Sequence, residues 1–227
     1  MNKIDVIVSY HDKSLINFNT LYKGLVKISP NIKLLDTNIN TTDTLKDFRN
    51  QYNYTGVTFD EFNTQAYFVE KYNPKLEYVY HVHYRRFLLD INKDKVMLDK
   101  KTIYTSYENI SSIDLISLNG YHETIIERLT PKLSEMFNLP LEDVVSIIEK
   151  NPTPVREIYL CHKDVQKMIV EYTYEFIKIL CMELNEECFL GENRFVGHMV
   201  EWFMGILFKK LEMFDGYNLI YKITGVI

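Results

Sequence analysis

No glycine-rich phosphate loop occurs in this 227-residue chain, which holds only eight glycines in all. Neither a dinucleotide fingerprint nor a Walker motif can be placed on it, so phosphate binding by such a loop is excluded. An Asp-x-Asp pair at a strand end is equally absent; Asp90 and Asp94 are spaced differently, in a lysine-rich stretch. A glycosyl or phosphoryl transferase built on this chain lacks the usual Mg²⁺ or Mn²⁺ clamp. No metal site and no cofactor are therefore expected, and metal-independent turnover follows as a test.

Cysteine is scarce. Cys161, Cys181 and Cys188 are an odd number without metal-ligand spacing, which predicts buried thiols in a reducing, cytoplasmic setting. No apolar run reaches bilayer length, so no transmembrane segment is expected and a soluble protein is predicted. Met1-Asn2-Lys3 leads into a short strand-like run and not into the long apolar core of a signal. A basic excess is missing too, with a net charge of −5 and a pI near 5.7. Binding to a polyanion mainly through charge gets no support from that balance. Lys93, Lys95, Lys100 and Lys101 form the best basic patch and read as a solvated loop.

What the chain does have is aromatic side chains, 17 Tyr and 13 Phe, within a 46% hydrophobic content that suffices for a real core. Tyrosine suits a site where a ring stacks on a sugar or base; it is equally the mark of an AT-rich gene. Residues 4–10 are β-branched and predict a first strand, residues 15–28 a helix, and residues 33–36 a second strand ending in Asp36. That order opens a nucleotide-binding α/β unit. Residues 38–56 read as a polar loop with a short helix, 59–72 as a helix, and 78–87 as a strand. A further strand is expected at 113–118, a helix at 141–150, a short strand at 155–161, and two long helices at 164–184 and 194–214. One domain spanning 1–227 follows, with a nucleotide-binding α/β part over 1–120 and a mainly helical acceptor-side part over 121–227.

Period two along residues 78–87 places His81, His83 and Arg85 on one face and Tyr78, Tyr80, Val82 and Tyr84 on the other. Two histidines at i and i+2 can chelate zinc, yet no third ligand stands at motif spacing. They can also be satisfied core histidines, or they can join Arg85 and Arg86 in holding an anion or a leaving group. Asp36 reads either as a ribose-binding acid or as a turn residue beside Thr37 and Asn38. Arg194, His198 and Glu201 recur at steps of four and three, so one helix face carries a cation, an imidazole and a carboxylate.

The string His83-Tyr84-Arg85-Arg86-Phe87 resembles the His-Tyr-Arg-Arg signature of a family of bacterial capsule and lipopolysaccharide glycosyltransferase-like proteins, long catalogued as a domain of unknown function. The resemblance runs in order through Ser9-Tyr10-His11-Asp12-Lys13, Glu61-Phe62-Asn63, Asp143-Val144-Val145 and Arg194-x-x-Gly197-x-x-x-Glu201-Trp202, nearly the whole chain. Thr64-Gln65-Ala66-Tyr67 departs from the family's usual text. The resemblance implies a GT-A-like α/β fold, with a small mixed sheet in the N-terminal half and a mostly helical C-terminal half. It implies transfer of a sugar from a nucleotide-sugar donor to the hydroxyl of a glycan or lipid-linked acceptor. Ser9, His11 and Asp36 would line the nucleotide pocket, with Asn63, Tyr84 and Arg194 counted among the donor-binding residues. His83, Arg85 and Arg86 would face the diphosphate, and Glu201 or His198 would meet the acceptor or act as base. Two alternatives stand beside it: a phage-type transferase that glycosylates a hydroxymethylated DNA base, and a non-catalytic sugar- or nucleotide-binding module.

Overall fold

A computed structural model describes residues 4–12, 16, 17, 23, 25, 28–51, 61–72, 74–88, 91, 98–106, 123–150, 157–184 and 195–226. Eight strands form one mixed sheet: β1 (Ile4–Tyr10), β2 (Ile32–Asp36), β3 (Tyr78–His83), β4 (Arg86–Leu88), β5 (Thr102–Ser106), β6 (Tyr159–His162), β7 (Asn218–Lys222) and β8 (Thr224–Val226). The main path runs β2-β1-β3-β6-β5-β7, and β4 joins β3 to β8. β1 lies parallel to both β2 and β3, whereas β6 is antiparallel to β3 and β5. The C-terminal half is mostly helical, as expected, and it also supplies three strands to the sheet.

Among the described residues there are six helices: α1 (Asp43–Gln51), α2 (Phe62–Tyr67), α3 (Glu123–Phe137), α4 (Leu141–Lys150), α5 (Lys163–Glu183) and α6 (Phe195–Phe214). α2 continues into a π turn over Phe68–Tyr72. The long helices α5 and α6 agree with the spacing at 164–184 and 194–214 to within a residue. His162 caps α5, its Nδ1 accepting from the Asp164 amide at 3.2 Å, and Asp164 adds a carboxylate where the helix dipole favours one.

Alternation along β3 sorts the core into two layers. Tyr78, Tyr80, Val82 and Tyr84 pack with Val6, Val8, Ile16, Leu25 and Ile28 on one side of the sheet. On the other side Tyr159 and Cys161 of β6 join the helical layer of α3 to α6. There Phe176 and Phe203 stack at 4.3 Å and Trp202 is fully buried. Among the described residues no helix is long and apolar enough to cross a membrane.

Two expectations change. Residues 78–87 are not one strand: the chain turns at Tyr84 and Arg85, and β4 returns antiparallel with Arg86 opposite His83. Arg85 therefore does not share a strand face with His81 and His83; it sits at the tip of a hairpin, exposed. β5, β7 and β8 had no sequence signal of their own, being three to five residues long with polar residues mixed in. The expected strand at 113–118 lies outside the described residues. Of the expected helix at 15–28, Lys23 and Leu25 are helical.

Candidate active site

The strand order reverses at β1. From β1 the chain goes to β2 on one side, and from β2 it crosses to β3 on the other. Open α/β sheets bind ligands in the crevice outside the carboxyl ends of strands at such a switch point. Here the two strand ends are in register, with Ser9 of β1 beside His83 of β3. On the other side of His83 stands Arg86 of β4, and Glu157 lies two residues before β6, outside the paired strands. Ser9, His83 and Arg86 thus form one row across the sheet edge.

That row is roofed by α2 and the residue before it. Glu61, Thr64 and Gln65 are spaced i, i+3 and i+4, so they project from one side of the helix. Glu61 Oε1 lies 2.9 Å from His83 Nε2. Thr64 Oγ1 lies 2.5 Å from Ser9 Oγ, and Gln65 Nε2 donates to Glu157 Oε2 at 2.5 Å. Thr64 already donates to the Glu61 carbonyl at 2.8 Å, so Ser9 supplies the proton in the Ser9–Thr64 bond. Tyr159 completes the belt, its hydroxyl donating to Gln65 Oε1 at 2.8 Å. Ser9, His83 and Glu157 each meet a different side chain of the roof.

His83 has both ring nitrogens engaged. The Arg85 amide donates to Nδ1 at 3.2 Å inside the hairpin, which leaves the proton on Nε2, aimed at Glu61. The imidazole is a strut between Glu61 and the turn that presents Arg85. Next along the edge, the Tyr84 hydroxyl lies 3.3 Å from His11 Nε2, and the Arg85 guanidinium sits over the Tyr84 ring at 5.0 Å. The buried Tyr84 ring thus carries an imidazole at its hydroxyl and a guanidinium over its face. His11 and Arg85 are exposed there, whereas Ser9 and His83 are buried.

The other sequence candidates fall into three places. Asp36 ends β2 and accepts from the Asn38 amide at 2.8 Å, while its own amide donates to Asn40 Oδ1. It closes a turn on the same edge, and the Asn38 side chain reaches the His11 carbonyl at 3.1 Å. Asn63 is buried and ties α2 to the turn after β2, donating to the Thr37 carbonyl at 2.9 Å. Arg86 lies in β4, opposite Val226 of β8. His198 and Glu201 share a half-buried face of α6, which packs on α4, α5 and β7; Arg194 lies outside the described residues.

His81, the second histidine of β3, points under the helical layer. It is fully buried, Gln166 of α5 lies 2.5 Å from its Nε2, and burial pushes its pKa down to about 3. It is a neutral core histidine. Among the described residues no group of three or more His, Cys, Asp or Glu is placed to hold a metal ion. Glu61, Thr64, Gln65 and Glu157 were missed as site residues from sequence. The i, i+3, i+4 spacing of the first three was the available signal, since such a polar stripe on a buried helix needs partners.

No protein-family model matches the chain, and no curated protein matches it in sequence. Among solved structures it resembles the apo structure of the WbbM bifunctional glycosyltransferase, with a TM-score of 0.67 at 13% identity. The likeness covers 100% of this chain and 45% of the WbbM chain, so this chain spans under half the length of that protein. The protein therefore has a mixed, GT-A-like α/β fold of the kind found in a glycosyltransferase.

Proposed function

We propose that this chain is a glycosyltransferase that moves a sugar from a nucleotide-sugar donor to an acceptor hydroxyl at the β1/β3 switch point. The observation that carries the reading is the hairpin at Tyr84–Arg85, which sets an exposed guanidinium over the ring of Tyr84, whose hydroxyl meets His11, at the carboxyl edge of paired strands. In the reaction the bond from the anomeric carbon to the diphosphate breaks and a bond to the acceptor oxygen forms. Negative charge grows on the departing nucleoside diphosphate, and Arg85 is the group we assign to meet it. Arg86, one residue on in β4, is the second cation assigned to that side. His11, Tyr84 and Asp36 are assigned to the nucleotide, Ser9 and Asn63 to shaping its pocket, and Arg194 to the donor side. His83 acts as the strut that holds the hairpin. The acceptor proton passes to a base, and His198 and Glu201 of α6 are the groups proposed for that role.

The GT-A-like fold and the likeness to a glycosyltransferase support this assignment, as does the ordered resemblance around His83-Tyr84-Arg85-Arg86. The acceptor is proposed to be a glycan or lipid-linked sugar. The missing Asp-x-Asp pair supports transfer without a resident divalent metal. Buried free thiols at Cys161 and Cys181 accord with a reducing cytoplasm. Incubation with a panel of nucleotide sugars tests the proposal. Steady release of free nucleotide, undiminished by EDTA, is expected; its absence across the panel, with nucleotide still bound, would instead identify a binding module.

A further inference from the structure

Glu157 has a backbone that glutamate rarely adopts. Its φ is +46°, in the left-handed region where a side chain crowds the carbonyl and glycine is favoured. It is nonetheless a large, charged residue, and it is buried. Side chains kept in that conformation cluster where the surroundings fix them for a purpose. The surroundings here are the polar belt: Glu157 Oε2 accepts from Gln65 Nε2 at 2.5 Å, and Gln65 Oε1 accepts from the Tyr159 hydroxyl at 2.8 Å. A phenol on one side and a carboxylate on the other permit a single orientation of the Gln65 amide. Gln65 is one turn along from Glu61, which holds His83, which in turn accepts from the Arg85 amide.

We propose that Glu157 is a positioning residue of the candidate active site, acting through Gln65 and the roof helix to hold Glu61 on His83 and so to fix the hairpin that presents Arg85. The proposal rests on the glycosyltransfer reading for its kinetic consequences, but the chain of contacts itself does not. Glu157 donates no proton to substrate and forms no bond with it. Its carboxylate is an acceptor for a buried amide, and a neutral acceptor of the same shape serves nearly as well.

Two substitutions separate positioning from mere folding. Glu157→Gly removes the carboxylate while easing the backbone, so it keeps the chain folded. Glu157→Gln keeps the acceptor and loses the charge. The readout is the imidazole ¹⁵N–¹H spectrum of the whole chain without substrate, with His83 assigned through His83→Asn, together with kcat and KM for the donor. E157G is expected to shift the His83 Nε2–H signal and to lower kcat/KM about tenfold or more, the size of one lost charge-assisted hydrogen bond. E157Q is expected to leave the signal in place and to stay within about threefold, since a neutral hydrogen bond is roughly half as strong. Gln65→Met breaks the same bond from the other end; E157G combined with Q65M should cost no more than either alone, because the two act as one unit. A His83 signal unmoved in both E157G and Q65M overturns the proposal, as do additive losses in the double variant. Wild-type protein that turns over no nucleotide sugar overturns the glycosyltransfer reading instead, and leaves the His83 readout to decide the positioning.

Discussion

Two buried regions of this protein are held together in opposite ways. Where α5 meets α6, Phe176 stacks on Phe203 at 4.3 Å with Trp202 and Phe137 beside them. Beneath α2 the contacts are instead a hydroxyl pair, a carboxylate on an imidazole and an amide chain. Apolar contact has no direction, so the first region tolerates exchange of side chains of like volume. Hydrogen bonds fix angle and partner, and a buried group that loses its partner costs more than the bond was worth. The first region therefore sets how stable the fold is, and the second sets where the hairpin of Tyr84 and Arg85 stands.

The comparison breaks most sharply at Arg85. It is exposed and its described contact is with the Tyr84 ring, so Arg85→Ala should leave the melting temperature unchanged. Turnover should fall about a hundredfold or more, as when one preorganised partner of a developing charge is removed. Activity within a few fold of wild type would contradict the leaving-group role. Phe203→Ala should do the reverse, costing about 3–5 kcal/mol in denaturant unfolding with turnover of the folded fraction preserved. Phe203→Leu should cost less than about 1.5 kcal/mol, since the volume is largely kept.

A smaller effect belongs to Glu61. Glu61→Ala leaves the His83 Nε2 proton without its acceptor and should lower kcat/KM about tenfold. Glu61→Gln keeps an acceptor oxygen and should recover most of that loss; equal losses in both variants would mean the charge, not the strut, is what matters. The smallest effect is a slope with pH. His81 is held near 3 by burial while the unfolded chain titrates near 6.5. Between those values the unfolded state binds the proton and the folded state does not. His81's contribution is therefore whole above pH 6.5 and is lost as pH falls toward 3. His81→Gln should flatten the fall in stability across that window in urea titrations, and an unchanged slope would count against a neutral buried imidazole.

Much of this was legible in the residues. β1 was readable because Ile4, Val6, Ile7 and Val8 are β-branched, and β3 because its tyrosines alternate with its histidines. α5 and α6 were readable from their apolar stripes. The hairpin at Tyr84–Arg85 was not, since neither residue is a Gly, Asn, Asp or Pro that marks a turn. Sequence alternation simply ran through it and placed Arg85 on the wrong surface. Glu157 carried no signal either: its place comes from a side-chain bond to the distant Gln65 and from a backbone angle, both set by tertiary structure. The sequence set His83 and Arg85 on one strand face, whereas the physical link between them is a backbone amide on a ring nitrogen, which no residue pattern displays.

The central claim is that an exposed Arg85, set by the His83 strut at the β1/β3 switch point, receives the diphosphate of a nucleotide sugar. A thermal-shift screen of nucleotide sugars against the wild type and Arg85→Ala tests it most directly, since a ligand that binds only the folded state raises the melting temperature. At least one donor should raise it for the wild type and fail to do so at the same concentration for the variant. An equal rise in both proteins, or no rise with any nucleotide sugar, would contradict the account.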